Sequence, residues 1–180
     1  MTNIWLTSDL HFSHDQPFIW GSRGFNSIEE HDEAIIENWN KVVKEDDIVY
    51  CLGDLMLKDN ERGMEKILRL NGKIYVAYGN HDTLARIEIY NELPNIYEVQ
   101  MGYRFSTGKK QFILSHYPQL VANYKDIKPI FSLHGHTHSQ DKWSDVFHAY
   151  NVNLDAHNCT PVNLEQIIDD INIKRNKGEI

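Results

Sequence analysis

Through the first half of the chain, short apolar runs alternate with stretches of helical periodicity. Asn3-Ile4-Trp5-Leu6-Thr7 predicts a first strand. Ser27-Ile28-Glu29-Glu30 is a capping box, in which Ser27 accepts from a free amide and Glu30 reaches back. The helix it opens is predicted to run to about Lys44, with Ala34, Ile35, Trp39, Val42 and Val43 on one face. Asp47 to Leu52 reads as a second strand and ends in Gly53-Asp54. A helix from about Glu61 to Leu70 stops at Asn71-Gly72, a C-terminal stop signal. Lys73 to Tyr78 reads as a third strand, followed by a shorter helix over Thr83 to Asn91.

The pattern then changes. Tyr103–Ser106 and Gln111–Ser115 flank a turn at Thr107-Gly108-Lys109 and predict a hairpin with Lys109-Lys110 at its tip. Further strands are expected at Ile130–Leu133 and His148–Leu154, where Asn151, Asn153 and Asp155 alternate with apolar residues. A last helix is predicted from Asn163, with Gln166 in capping-box position, and the tail from Lys174 to Ile180 reads as solvated and frayed. Alternating strands and helices followed by strands predict an α/β protein: two packed sheets flanked by helices, one domain over residues 1–180.

Composition narrows the function classes. Hydrophobic content of 41% and charged content of 24% are those of a globular protein that can bury a core. A net charge of -8 removes the counterion-release term behind non-specific binding of long nucleic acid. An anionic small substrate remains compatible, provided bound cations supply local positive charge. Cys51 and Cys159 form no framework. Residues 1–8 show neither a basic nor a long apolar region, and no stretch reaches membrane-spanning length, so a cytoplasmic protein without a membrane partner is expected.

Ten histidines matter through their placement. Polar clusters follow predicted strands at their carboxyl ends: Asp9-Leu10-His11, Gly53-Asp54, Gly79-Asn80-His81-Asp82, Ser115-His116 and Gly135-His136-Thr137-His138. Carboxyl ends of strands converge on the ligand crevice of open α/β sheets. On an extended segment, residues at i and i+2 point the same way, so Asp9 with His11, and His136 with His138, each aim two ligands at one point. The glycines before Asp54, Asn80 and His136 permit tight turns and close backbone approach. Imidazoles, carboxylates and an amide without thiolates suit Mn, Fe, Zn or Ni. Asp9, His11, Asp54, Asn80, His116, His136 and His138 exceed what one small divalent ion needs, and two ions sharing Asp54 would use them all. Taken singly, Asp9, Asp54 or Asn80 reads as a helix cap or turn residue; it is their order with the histidines that argues for a site.

In that order the clusters resemble the motif set of the calcineurin-like metallophosphoesterases, spanning residues 9–138, and SDLHFSH and TPVNLEQI look similar to compact bacterial and phage members. The resemblance implies a four-layer α/β/β/α sandwich of two mixed sheets. It implies Asp9, His11 and His138 on a first metal, Asn80, His116 and His136 on a second, and Asp54 bridging. It implies that His81, a non-ligand, protonates the leaving oxygen or stabilises charge at phosphorus, with Asp82 fixing its ring and favouring the protonated form. The implied activity is hydrolysis of a phosphate ester, a diester before a monoester or pyrophosphate, by a hydroxide held between two divalent ions: Mn first, then Ni, Co, Zn, Fe or Mg. Physically, two cations about 3.5–4 Å apart acidify a shared water and clamp the phosphoryl oxygens.

Competing readings are a nuclease acting on short nucleic acids and a non-catalytic scaffold of the same fold, as the retromer subunit is. The presence of His81 and all seven ligands argues against the scaffold. His14 and Arg23 are assigned to substrate contact, with a solvated loop charge as the alternative for each; Arg suits bidentate phosphate binding. His134 reads as a packing residue or support behind the ligands. His31, His148 and His157 receive no role. Specificity is assigned to the loops at residues 12–26, 83–95 and 117–129.

Overall fold

The structure, a computed structural model, describes residues 2–121, 129–146 and 148–180. Five strands form the first sheet: β1 (Ile4–Thr7), β2 (Ile48–Cys51), β3 (Lys73–Ala77), β4 (Ile96–Gln100) and β9 (Val162–Asn163), in the order β4-β3-β2-β1-β9. β1 to β4 run parallel, while β9 pairs antiparallel to β1 with Leu6 opposite Val162. The second sheet is β5 (Gly102–Thr107), β6 (Lys110–Ser115), β7 (Ile130–His134) and β8 (Ala149–Asn151), in that order. Its β5–β6 hairpin is antiparallel, and β6, β7 and β8 are parallel.

Helices α2 (Ile28–Val42), α3 (Asn60–Ile67) and α4 (Leu84–Glu92) cover one face of the first sheet, where Ile35, Trp39, Ile67 and Tyr90 join Val49, Cys51, Ile74 and Val76 in one buried core. The other face packs Leu6, Leu52 and Ala77 against Phe112, Leu114, Phe131 and Leu133 of the second sheet. Helix α5 (Leu164–Asn176) adds Ile167 and Ile171 to that second core and is tied to β8 by Tyr150 Oη donating to Asp170 Oδ2 at 2.7 Å. This is the α/β/β/α architecture with two mixed sheets that the sequence implies. Burying a single such Leu or Ile contributes roughly 1.5–3 kcal/mol, so these two cores are the fold's main driving force.

Several local expectations change. Ser27 Oγ accepts from Glu30 N, but the Glu30 carboxylate reaches Asn26 N at 2.8 Å, one residue further back. Gln166 does not cap α5; it donates to Asp170 Oδ1, and Asn163 caps the helix by accepting from Glu165 N. The helix continues through Lys174, so the tail is structured further than its polarity suggests. The short helix α1 (Pro17–Trp20), β4 and β9 were not foreseen. Residues 152–157 are not strand: Asn153 caps a 3-10 turn over Leu154–His157. Residues 122–128 of the loop assigned to specificity lie outside the described residues. No helix among the described residues is long and apolar enough to cross a membrane.

Candidate metal centre

The parallel register sets the ends of β1, β2 and β3 side by side, with Thr7 opposite Cys51 and Cys51 opposite Val76. The loops that follow continue this alignment: Asp9 N donates to Gly53 O and His11 N to Asp54 O, both at 3.0 Å. In the second sheet, Gly135 N donates to His116 O at 3.0 Å, joining the loop after β7 to the end of β6. All five polar clusters therefore meet at one edge of the sandwich.

The backbone there is not extended. Asp9, His11 and Ser13 have φ of 59°, 52° and 62°, Asp54 has 57°, and His136 and His138 have 68° and 47°. Paired ligands converge because left-handed residues recur at every second position, and the flat alternation expected from the sequence is absent. Such residues cost on the order of 1–3 kcal/mol each and persist only where surrounding contacts hold them. Close approach explains Gly53, with φ of 92°: a Cβ there would lie 2.6 Å from Gly79 N and 2.7 Å from His116 Nδ1.

A first group of donors is Asp9, His11 and His138. His11 Nε2 and His138 Nε2 lie 3.1 Å apart, and Asp9 Oδ1 is 3.9 Å and 3.6 Å from them. Asp9 Oδ2 is occupied by Ser8 Oγ and His136 N, whereas Oδ1 is buried without a hydrogen-bond partner. His138 Nδ1 donates to Asp155 Oδ2 at 3.0 Å, which leaves its Nε2 lone pair facing the group. An orphaned carboxylate oxygen beside two imidazole nitrogens fits a divalent cation, because little else on the chain satisfies it.

The second group centres on His116. Its Nδ1 donates to Leu52 O at 2.8 Å, so Nε2 presents a lone pair, with Asn80 Oδ1 at 2.8 Å and Asp54 Oδ2 at 3.6 Å. Two acceptors meeting at 2.8 Å again call for positive charge between them. The His136 ring stands edge-on to His116 at 5.0 Å and to Tyr117 at 4.7 Å. Asp54 Oδ2 also lies 4.0 Å from both His11 Nε2 and His81 Nε2, so it sits between the groups. Burial, outweighing the opposing effect of His116, pushes the Asp54 carboxyl up to about 7. A cation beside it would favour the ionised form.

A model of the calcineurin-like phosphoesterases matches residues 2–178, nearly the whole chain. The chain belongs to this family. It is a phosphoesterase, a hydrolase of phosphoester bonds in a metal-dependent family. Uncharacterized protein MJ1445 of Methanocaldococcus jannaschii is 33% identical over 178 residues, covering 93% of this chain and 90% of its own. The Gene 66 protein of Mycobacterium phage D29 is 26% identical, covering 95% and 98%. In fold it resembles the protein of unknown function AQ665 of Aquifex aeolicus, with a TM-score of 0.72, 23% identity and coverage of 95% and 100%.

Within this phosphoesterase His81 lies at the edge of the cluster, its side chain 43% exposed and its backbone N donating to Asp54 Oδ1 at 3.0 Å. Asp82 does not hold the His81 ring, contrary to expectation. Its Oδ2 accepts from Asp54 N and Gly79 N, at 2.7 Å and 2.8 Å, and its Oδ1 from Tyr90 Oη. It fastens two loops of the site together. Burial lowers the His81 pKa despite the opposing charge of Asp82.

Arg23 also departs from its assignment. Its side chain, 2% exposed, is turned into the protein rather than towards substrate. Its guanidinium grips both oxygens of Asp155 at 3.1 Å and 2.9 Å, donates to Asp9 O at 2.8 Å, and meets His31 Nε2 at 2.9 Å. His31 Nδ1 in turn faces Asp32 Oδ1 at 2.9 Å, and Asp32 Oδ2 accepts from Ser13 N. Although burial raises the Asp155 pKa, hydrogen bonds from His138 and Arg23 hold it well below the usual carboxylate range. The phosphoesterase thus has a buried chain from α2 to His138 whose members His31, Asp32 and Asp155 carried no sequence motif. His134 is a packing residue, bonded to Gly135 O and Ser144 Oγ.

A cavity of about 970 Å³ opens over the donors. His11, Asp54, Asn80, His81, His136 and His138 line its floor, and His14, Phe18, Leu57, Lys58 and Arg86 are among its walls. His14 stays near its expected place, with its ring 5.4 Å from His11 and buried enough to lower its pKa to about 4. Lys58 and Arg86 were missed because each reads alone as an ordinary surface charge.

Proposed function

We propose that this phosphoesterase holds two divalent cations, with manganese the first choice, and hydrolyses a small phosphodiester. Asp9, His11 and His138 would hold one cation, and Asn80, His116 and His136 the other. The observation that carries the reading is the position of Asp54 Oδ2, within 4.0 Å of a nitrogen from each group. When bound, the cations supply a water acidified towards neutral pH and charge to neutralise the phosphoryl oxygens.

The chain's own residues do the rest. Leu52 O and Asp155 fix the tautomers of His116 and His138, so that each turns a lone pair inwards. Asp82 and the bond from His81 N to Asp54 Oδ1 hold the β2 and β3 loops in mutual register. His81 stands over the cavity with a ring unencumbered by Asp82, placed to give a proton to the departing oxygen. Burial keeps that ring neutral without ligand, and the charge of a bound phosphate favours its protonated form. His14 contacts substrate at the wall beside His11.

The test is calorimetric metal binding together with turnover of a monoester, a diester and a pyrophosphate under each divalent metal. Two sites per chain, loss of activity with chelator and a diester preference are expected. A saturating stoichiometry of one ion would remove the bridging role of Asp54.

A further inference from the structure

The cavity has far more room than a phosphate needs, and two basic side chains in its wall stand apart from the carboxylates Asp54 and Asp155 that also line it. Elsewhere some basic side chains meet carboxylates, Arg62 with Glu29, Lys66 and Arg69 with Glu33, and Lys142 with Asp170, and others do not, as Arg104, which meets Gln111. Among the described residues no carboxylate lies within 4.0 Å of Lys58 or Arg86, although the chain carries a net charge of -8. Both of these cations line the cavity. Arg86 is held in place, its Nε donating to Asn60 Oδ1 at 3.0 Å and one terminal nitrogen to His81 O at 2.5 Å. Lys58 sits on a left-handed residue, φ of 75°, in the loop leading to α3. A non-glycine residue in that conformation is sparsely populated and marks functional loops.

The same walls hold an aromatic platform. Phe18 on α1 is 67% exposed yet lines the cavity, with its ring edge-on to His14 at 5.6 Å. His14 lies 5.4 Å from His11, so this platform stands two ring contacts from the metal donors. Ile19 and Leu57 extend the apolar wall. Cavities of several hundred Å³ with an apolar wall and a few placed charges suit ligands of nucleotide size.

We propose that the substrate is a nucleotide-sized phosphodiester carrying a second anionic group: an aromatic base stacks on Phe18 while a non-scissile phosphate is bound by Lys58 and Arg86. This rests on the phosphodiester reading above and names its substrate class. Stacking on an aromatic side chain tolerates any base, and charge-assisted hydrogen bonds from Lys and Arg select phosphate.

The experiment uses the p-nitrophenyl ester of thymidylate with and without a second phosphate on its free sugar hydroxyl, alongside bis(p-nitrophenyl) phosphate. In the manganese-loaded wild type the second phosphate should raise kcat/KM by about tenfold or more, the scale of one charge-assisted contact. That ratio should fall towards unity in Lys58→Ala and in Arg86→Gln, and persist in Lys109→Ala, which removes a charge at the hairpin tip. Phe18→Ala should lower kcat/KM for the nucleoside ester relative to methyl p-nitrophenyl phosphate by about tenfold. A wild-type ratio near unity, or a ratio that survives in both Lys58→Ala and Arg86→Gln, overturns the proposal. Hydrolysis of bis(p-nitrophenyl) phosphate alongside such a result leaves the phosphoesterase reading intact and sinks the subsite alone. If no ester turns over, calorimetry with thymidine bisphosphate and thymidylate decides it: a preference for the bisphosphate that Lys58→Ala abolishes sustains the subsite, and equal binding overturns it.

Discussion

Asp9 and His138 are backed by a buried chain of hydrogen bonds, whereas Asn80 and His136 stand on the cavity floor with little behind them. Asp155 fixes His138, Arg23 fixes both Asp155 and the Asp9 backbone, and His31 with Asp32 continues the chain into α2. On the other side His116 has its Leu52 anchor, but among the described residues the His136 ring has only ring contacts, with His116 and Tyr117. Supporting partners orient ligands and raise their basicity, so the first group is the more pre-organised. On the two-cation proposal, one cavity would hold a tight site and a looser one, with Asp54 common to both.

The harshest test of that division is Asp54→Ala. Loss of the shared carboxylate should empty both sites and cut turnover by more than about a thousandfold, near 4 kcal/mol of barrier. Asp9→Ala should leave the second site able to bind. Equal residual metal content in the two variants, read by elemental analysis after dialysis, would erase the distinction between a shared and a private ligand.

His81→Ala sharpens the boundary from the cavity side. Both ions should remain while turnover of an alkyl ester falls roughly a hundredfold, the scale of a positioned acid. The loss should shrink with a p-nitrophenyl leaving group, which needs little protonation. Loss of metal would move His81 into the second group; equal losses on both esters would make it a stabiliser of charge at phosphorus.

Asp155→Asn attacks the brace alone. Affinity at the tighter site should weaken by about tenfold to a hundredfold, with the looser site nearly unchanged. Titration calorimetry resolves the two; a parallel loss at both sites would show that the halves are not independently supported. The smallest effect is expected from Tyr117→Leu, which removes the edge contact with His136 and should weaken the looser site by no more than about threefold, since such ring pairs contribute about 0.5–1.5 kcal/mol.

The donor clusters could be read in the chain because each is local: a small residue, glycine or serine, then a candidate ligand, at the end of an apolar run. The brace was illegible for the opposite reason. Arg23 and Asp155 are 132 residues apart, and each alone looks like a loop charge. Asp82 was misassigned because adjacency to His81 in sequence suggested contact, whereas its carboxylate turns back to two backbone amides. β4 was missed because Ile96–Gln100 gains its strand character from pairing with β3.

The amino-acid sequence by itself determined most of the elements, the order of the candidate ligands and the type of chemistry, since helix caps, apolar periodicity and donor identity act within a few residues. Only the tertiary structure decided that paired candidate ligands converge through left-handed backbone, that one group of donors is braced and the other open, and that Lys58 and Arg86, with no carboxylate in range among the described residues, share the cavity with Phe18. Those features depend on side chains distant in sequence meeting in a desolvated space, where one unsatisfied or uncompensated group outweighs local propensity.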